Sequence, residues 1–203
     1  MNTPLYIYVH GFNSSPQSMK ARLFVEYLQG KGLGDQVMVP ELSHWPAEAM
    51  EQLRALVEQN QQRSIILLGS SLGGYYSTWL TEHYDHVRTV LINPSVRPFE
   101  LLPQYLGPNV NLYSGEEYEL TQEHLTQLLA LNCQEIERPE AYLLLTQTAD
   151  ETLDYREAVE KFVASPQFVQ PGGSHGFEQF ENLIPAIMAF AEGRIDLPEA
   201  QPI

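Results

Sequence analysis

The run Gly-Ser-Ser-Leu-Gly at residues 69–73 offers a serine nucleophile in a tight turn. It fits the pattern G-x-S-x-G, in which a sharp strand-to-helix turn exposes the serine hydroxyl for attack on a carbonyl carbon. Such a turn needs small residues two positions before and two positions after the nucleophile. Ser71 has Gly69 and Gly73 at these positions, whereas Ser70 would have two leucines. We therefore expect Ser71 to be the nucleophile rather than part of a glycine-rich turn without chemistry.

A serine nucleophile needs a base, and His175 is the favoured candidate. In this turn architecture the chain order is serine, then acid, then histidine. The histidines after Ser71 are His83, His86, His124 and His175. The first two lie on or just past the helix that follows the serine, and His124 lies in a later predicted helix. His175 follows the last predicted strand in a glycine-rich loop, where a mobile base is expected.

The acid that orients the base should follow the preceding strand. Three carboxylates lie there, Asp150, Glu151 and Asp154. Asp150 falls in the loop and is the favoured acid. Asp154 stands immediately before a predicted helix, where an aspartate accepts from free first-turn amides. Asp154 and Glu151 remain the alternatives.

Acyl transfer also needs amide donors for the oxyanion that forms on the carbonyl. One is expected from the residue after the nucleophile, Leu72. The second is expected from the turn after the first strand, which reads His-Gly-Phe-Asn-Ser-Ser-Pro at 10–16. Phe12 N–H is the favoured donor there, with Gly11 allowing the backbone to turn. His10 is predicted to anchor this turn rather than to act as a second base.

Short apolar runs alternate with helical patterns along the chain and predict an α/β fold with a mostly parallel sheet. The predicted strands are Leu5–Val9, Val37–Val39, Ile65–Leu68, Val87–Ile92, Tyr142–Leu145 and Gln167–Val169. The predicted helices are Met19–Leu28, Ala47–Val57, Tyr75–Tyr84, Tyr155–Val163 and Leu183–Ala191. Residues 93–139 are too long for a simple connection. We expect one domain, 1–203, in which 93–139 forms a cap or lid insertion with a helix at Thr121–Leu131.

Composition limits the partners and the compartment. The 203 residues carry a net charge of −15, which opposes binding to nucleic acid and to anionic membranes. The single cysteine, Cys133, fits a reducing compartment. The first residues lack a basic region and a long apolar run, so neither a signal peptide nor a membrane span is expected. The sequence predicts a cytoplasmic protein, a monomer or small homo-oligomer, that acts on a small molecule.

With these pieces in place, the sequence resembles the α/β-hydrolases and, within them, the YqiA-like esterases. The matching segments are HGFNSSP at 10–16, GSSLGGYY at 69–76, NPSVRPFELL at 93–102, QTADETLDYREAV at 147–159 and GGSHGFEQFE at 172–181. The resemblance implies an esterase for acyl esters with Ser71, Asp150 and His175 as its triad. It also implies that the segment from residue 93 begins a cap.

The substrate is less well specified by the sequence. Trp45 and Phe99 are predicted to line the acyl pocket. The triad needs neither a metal nor a cofactor. The same residues would also suit a thioesterase, including one for acyl-coenzyme A, and a hydrolase scaffold can persist as an inactive binding protein. An acidic stretch between Asn111 and Glu140 would disfavour anionic acyl carriers if it surrounds the pocket mouth.

Overall fold

A six-stranded parallel sheet forms the centre of the computed structural model, which describes residues 4–203. Its strands are β1 (Leu5–Val9), β2 (Val37–Met38), β3 (Ile65–Ser70), β4 (Val87–Ile92), β7 (Tyr142–Gln147) and β8 (Gln167–Gln170). The strands β5 (Gly107–Val110) and β6 (Glu117–Leu120) lie outside this sheet. The sheet order is β2-β1-β3-β4-β7-β8, and every neighbouring pair in it is parallel. The predicted fold class is therefore confirmed.

The central strands are apolar because both of their faces are covered. In β3 the four residues Ile65–Leu68 are fully buried. Their side chains alternate between two apolar cores, with Leu67 in one and Leu68 in the other. A strand covered on both faces cannot show the apolar–polar alternation of a half-exposed strand. This explains the continuous apolar runs in the sequence.

Helices cover the two faces of the sheet. They are α1 (Met19–Gly30), α2 (Pro46–Gln59), α3 (Leu72–His83), α4 (Pro98–Leu101), α5 (Gln122–Leu129), α6 (Tyr155–Lys161) and α7 (Ile184–Ala191). On one face, Leu53 of α2 and Leu80 of α3 share a core. On the other, Phe24 of α1 packs with Ile187 of α7. Within residues 4–203, no helix combines the length and the apolar composition needed to cross a bilayer.

Residues 93–139 fold outside the main sheet. They contain α4, a single turn of 3₁₀ helix at 102–105, the antiparallel pair β5–β6, and α5. The helix predicted at Thr121–Leu131 is α5, whose first turn is capped by Thr121. The β5–β6 pair was not predicted from the sequence.

The loops that follow the parallel strands meet at one edge of the sheet, because all six strands run in the same direction. The loop after β1 carries Gly11 and Phe12, and β3 ends immediately before Ser71. Asp150 follows β7, and His175 follows β8. The fold therefore gathers the residues predicted for the triad and the oxyanion hole at the carboxyl edge of the sheet.

Candidate active site

Ser71 lies in a strained turn between β3 and α3. Its φ of 54° and ψ of −121° belong to a region that residues with a Cβ rarely adopt. Backbone hydrogen bonds hold this conformation. Ser71 N–H donates to the carbonyl of Ile92 at 3.1 Å, and the Ser71 carbonyl accepts from Ser95 N–H at 3.0 Å. The neighbouring strand β4 thus fixes the position of the serine.

The two glycines of the motif are needed because other parts of the same chain approach them closely. A Cβ at Gly73 would lie 2.0 Å from the carbonyl oxygen of Val9. A Cβ at Gly69 would lie 2.6 Å from the Ser77 hydroxyl and 2.7 Å from the Gly73 carbonyl oxygen. The sequence argument that only glycine fits on either side of Ser71 is confirmed by these distances.

His175 and Asp150 form a continuous hydrogen-bonded line with Ser71. His175 Nε2 lies 3.1 Å from Ser71 Oγ, and His175 Nδ1 lies 2.8 Å from Asp150 Oδ2. A carboxylate only accepts, so Nδ1–H must donate to it, and Nε2 of the neutral ring is then free to accept the serine proton. The Asp150 side chain is only 2% exposed, while that of His175 is 24% exposed.

The three candidate acids have separate partners. Asp150 Oδ1 accepts from the N–H groups of Thr152 and Leu153, which leaves Oδ2 for His175. Asp154 accepts from Arg156 N–H at the start of α6. Glu151 accepts from the backbone N–H of His175, and this hydrogen bond lowers the pKa of its carboxyl. Only Asp150 reaches the imidazole ring, whereas Asp154 caps a helix.

His10 anchors the loop after β1. Its Nε2 accepts from Leu42 N–H at 3.2 Å, and its Nδ1 donates to the Gly11 carbonyl at 3.1 Å. Burial lowers the pKa of His10, which favours this neutral, hydrogen-bonded ring. The predicted anchoring position of His10 agrees with these contacts.

The same loop presses against the nucleophile. A Cβ at Gly11 would lie 3.0 Å from the Ser71 Cβ. Phe12 and Leu72 line one cavity together with Ser71. Within residues 4–203, neither Phe12 N–H nor Leu72 N–H donates to a protein acceptor. Amide donors without a protein acceptor, on residues that line the cavity of the serine, are the groups that an oxyanion hole needs.

Two cavities open on Ser71 and His175, and they differ in chemistry. The first, of about 170 Å³, is mainly apolar. Its walls include Phe12, Leu72, Pro98, Leu101, Leu102 and Tyr105. The second, of about 370 Å³, also has a mainly apolar surface, but more polar side chains line it, Lys20 among them. Its walls include Asn13, Ser14, Ser18, Lys20, Tyr113 and Gly176.

Trp45 and Phe99 line neither of these cavities, so the structure does not place them beside Ser71 as predicted. Trp45 precedes α2 and stacks on His124 of α5, with ring centroids 3.8 Å apart. Phe99 packs edge-on against Tyr75 and borders a separate surface groove. In both cases the side chain fills an aromatic contact between helices. The neighbours of Phe99 at 101, 102 and 105 turn toward Ser71 instead.

Two buried amide side chains, missed by the sequence analysis, hold the His175 loop. Asn93 Nδ2 donates to the carbonyls of Ser174 and His175 at 2.9 and 3.2 Å, and its Oδ1 accepts from Gln147 N–H. Gln147 Oε1 accepts from the N–H groups of Ser174 and Glu178. The signal in the sequence is a polar residue at the end of each of two apolar strands, β4 and β7.

Among residues 4–203, no three histidine, cysteine, aspartate or glutamate side chains cluster in a way that could hold a metal ion. The polar groups around Ser71 are instead joined by hydrogen bonds to each other and to the backbone. The arrangement is suited to proton transfer and nucleophilic attack by side chains.

Comparison with known proteins identifies the family. Residues 5–192 match a family described as "Uncharacterised protein family (UPF0227)". The chain belongs to this family. It is the family of the YqiA-like esterases, so the resemblance found in the sequence is confirmed.

Solved structures with the same fold include several hydrolases. A putative hydrolase from Agrobacterium vitis S4 is 20% identical, with a TM-score of 0.74 over 93% of this chain and 88% of that one. Mouse alpha/beta hydrolase domain-containing protein 10 is 18% identical, with a TM-score of 0.70 over 94% and 90%. Est1E from Butyrivibrio proteoclasticus, solved with ferulic acid, is 15% identical, with a TM-score of 0.64 over 93% and 87%. These similarities establish the α/β-hydrolase fold.

Proposed function

We propose that this protein is a serine esterase that hydrolyses carboxylic esters through a Ser71–His175–Asp150 triad. The observation that carries the proposal is the line of two hydrogen bonds, 3.1 and 2.8 Å long, from Ser71 Oγ through the His175 ring to Asp150. Membership of the YqiA-like esterase family supports the same activity.

In the first step the ester carbonyl carbon is attacked by Ser71 Oγ while His175 Nε2 takes the hydroxyl proton. Asp150 accepts from Nδ1–H and stabilises the imidazolium that forms. The negative charge on the carbonyl oxygen is stabilised by the N–H groups of Phe12 and Leu72. His175 then returns the proton to the leaving alkoxide, and an acyl group remains on Ser71.

In the second step water replaces the alcohol. His175 removes a proton from the water as it attacks the acyl carbon, and the same two amides stabilise the oxyanion. Collapse of this intermediate releases the carboxylic acid, and the proton on His175 returns to Ser71 Oγ. Both steps use the same groups, so the cycle closes without a cofactor.

The test compares Ser71→Ala with Ser64→Ala, which removes a hydroxyl from an exposed position before β3. We expect Ser71→Ala to lower kcat/KM for p-nitrophenyl butyrate by about 10³-fold or more, since the nucleophile is lost. A fluorophosphonate probe should label the wild type and Ser64→Ala but not Ser71→Ala. Turnover by Ser71→Ala close to that of the wild type would exclude this mechanism. A wild type that neither turns over esters nor takes the label would exclude the esterase and favour the alternative of an inactive binding protein.

Within this proposal, residues 93–139 act as a cap on a single domain. They supply Leu101, Leu102 and Tyr105 to the apolar cavity beside Ser71. The β5–β6 pair is also tied to the loop after β1, because Tyr118 Oη donates to Asn13 Oδ1 at 2.7 Å. A cytoplasmic location and a small-molecule substrate remain predictions of the sequence.

A further inference from the structure

The larger cavity beside Ser71 contains a cation that the proposed chemistry does not use. Lys20, in the first turn of α1, lines this cavity together with Ser71 and His175. Among residues 4–203, it is the only lysine or arginine whose side chain lines either cavity at the nucleophile. In a chain with a net charge of −15, a positive group at this position is a local exception.

The ammonium group of Lys20 has spare hydrogen-bonding capacity and lacks a direct counter-ion. It donates one hydrogen bond, to the Gly176 carbonyl at 2.9 Å, and an ammonium group has three donors. Within residues 4–203, no carboxylate oxygen lies within 4.0 Å of it. Removal from water lowers the pKa of Lys20 to about 8, against the opposing charge of Asp150. A partly dehydrated cation without an ion pair is stabilised by any anion that enters the cavity.

The two cavities offer the two halves of an ester different environments, because only the larger one is lined by a cation. Leu101, Leu102 and Tyr105 suit an apolar group on one side of Ser71. Asn13, Ser14 and Lys20 suit a polar, negatively charged group on the other side. Both cavities reach Ser71 and His175, so one ester can span them with its carbonyl at the nucleophile.

We propose that the preferred substrate is a carboxylic ester that carries a carboxylate on the half occupying the Lys20 cavity and an apolar group on the other half. This inference rests on the proposed esterase function. One ammonium group balances one negative charge. A monoanionic carboxylate therefore fits better than a phosphate dianion, whose second charge would face Asp150 behind the His175 ring.

The test uses two pairs of esters in which a carboxylate is compared with a carboxamide of the same size. In the first pair the charge is on the alcohol half: 4-(butyryloxy)benzoate against 4-(butyryloxy)benzamide. In the second pair it is on the acyl half: phenyl hydrogen adipate against phenyl adipamate. The released phenols are measured by chromatography at pH 7. Each pair gives a ratio of kcat/KM for the carboxylate to kcat/KM for the carboxamide.

We expect the wild type to prefer the carboxylate by about tenfold or more in one of the two pairs, since a charge-assisted hydrogen bond is worth that factor. The pair that shows the preference identifies the half of the ester that enters the Lys20 cavity. Lys20→Gln should bring the ratio close to one, and Lys20→Arg should keep it well above one. Lys31→Gln is the matched control, because it removes the same charge from the exposed end of α1 and should keep the wild-type ratio.

The outcomes separate this inference from the proposed function. If the wild type hydrolyses the carboxamide esters and both ratios are near one, the esterase stands and the carboxylate preference is overturned. If Lys20→Gln lowers kcat/KM for both members of a pair equally, Lys20 only holds the Gly176 loop, and the inference is again overturned. If none of the four esters is hydrolysed, the esterase proposal fails and this inference fails with it.

Discussion

Two aspartates four residues apart, Asp150 and Asp154, have different surroundings although both follow β7. The first is buried against the His175 ring, and the second caps α6 at the surface. Asp150→Asn should lower kcat by about 10⁴-fold, because an amide that donates to Nδ1 would hold the ring in the wrong tautomer. Asp154→Asn is the matched control and should keep both kcat and stability, since asparagine is an equally good N-cap.

Steady-state kinetics and thermal unfolding on the two variants check this assignment. A large loss of kcat in Asp154→Asn with little change in Asp150→Asn would reverse the roles of the two acids. Glu151 lies outside this comparison because it contacts only the backbone of His175.

At the scale of single residues, the pH dependence of the carboxylate preference should reveal the charge of Lys20. The pKa of Lys20 is lowered to about 8, so its charge is present below pH 8 and is lost as the pH rises through that value. The charged or titratable groups facing it are Asp150, His175 and Tyr113. We expect the carboxylate-to-carboxamide ratio in kcat/KM to fall between pH 7 and pH 9. A flat ratio over this range would contradict the prediction.

At the scale of elements, the strands of the main sheet could be predicted from the sequence, whereas the β5–β6 pair could not. The apolar runs of β1 and β4 match the observed strands at both ends, because buried parallel strands require continuous apolar sequence. The β5–β6 pair contains Gly107 and Pro108, residues that disfavour strands. Its contact with Asn13 brings together residues far apart in the chain, and no local pattern shows such a contact.

The same distinction applies to the site. Ser71, Asp150 and His175 could be selected because the ends of parallel strands place them at one edge of the sheet. The cavity walls could not be selected, since they depend on how residues 93–139 fold over that edge. Trp45 and Phe99 were chosen for their aromatic character alone, and both are used in packing between helices.

The loop that carries His175 depends on Asn93 at the end of β4. Asn93→Asp would place a carboxylate oxygen against the carbonyls of Ser174 and His175, which now accept hydrogen bonds from the amide. We expect the unfolding free energy to fall by about 2 kcal/mol. We also expect kcat to fall, and by more than a loss of folded protein would explain. Asn60→Asp is the control, because Asn60 also donates to a carbonyl, that of Leu56, but at the end of α2. Equal effects of the two variants on kcat would exclude a positioning role for Asn93.

At the scale of the whole molecule, the main sheet and residues 93–139 should differ in local stability. The central strands β3 and β4 are hydrogen-bonded on both sides and buried, whereas β5 and β6 form an isolated pair whose turn exposes Leu112 and Tyr113. We expect amide hydrogens of β5–β6 to exchange at least about tenfold faster than those of β3–β4. Hydrogen exchange followed by mass spectrometry resolves the two regions. Uniform protection across them would mean that the proposed cap opens only with the whole domain.

The backbone of Ser71, with its φ of 54°, has a consequence for how stability and activity trade against each other. A side chain at this position disfavours the native turn, so removing the Cβ relieves a conformational cost in the folded state. Ser71→Gly should therefore unfold at a higher temperature than Ser71→Ala, in which the Cβ remains, although both lack the nucleophile. Glycine also loses more backbone entropy on folding than alanine, and this loss opposes the gain. If Ser71→Gly nevertheless melts at the higher temperature, the strain of presenting a reactive hydroxyl in this turn exceeds that entropy difference. If it melts at the lower temperature, the strain is the smaller of the two.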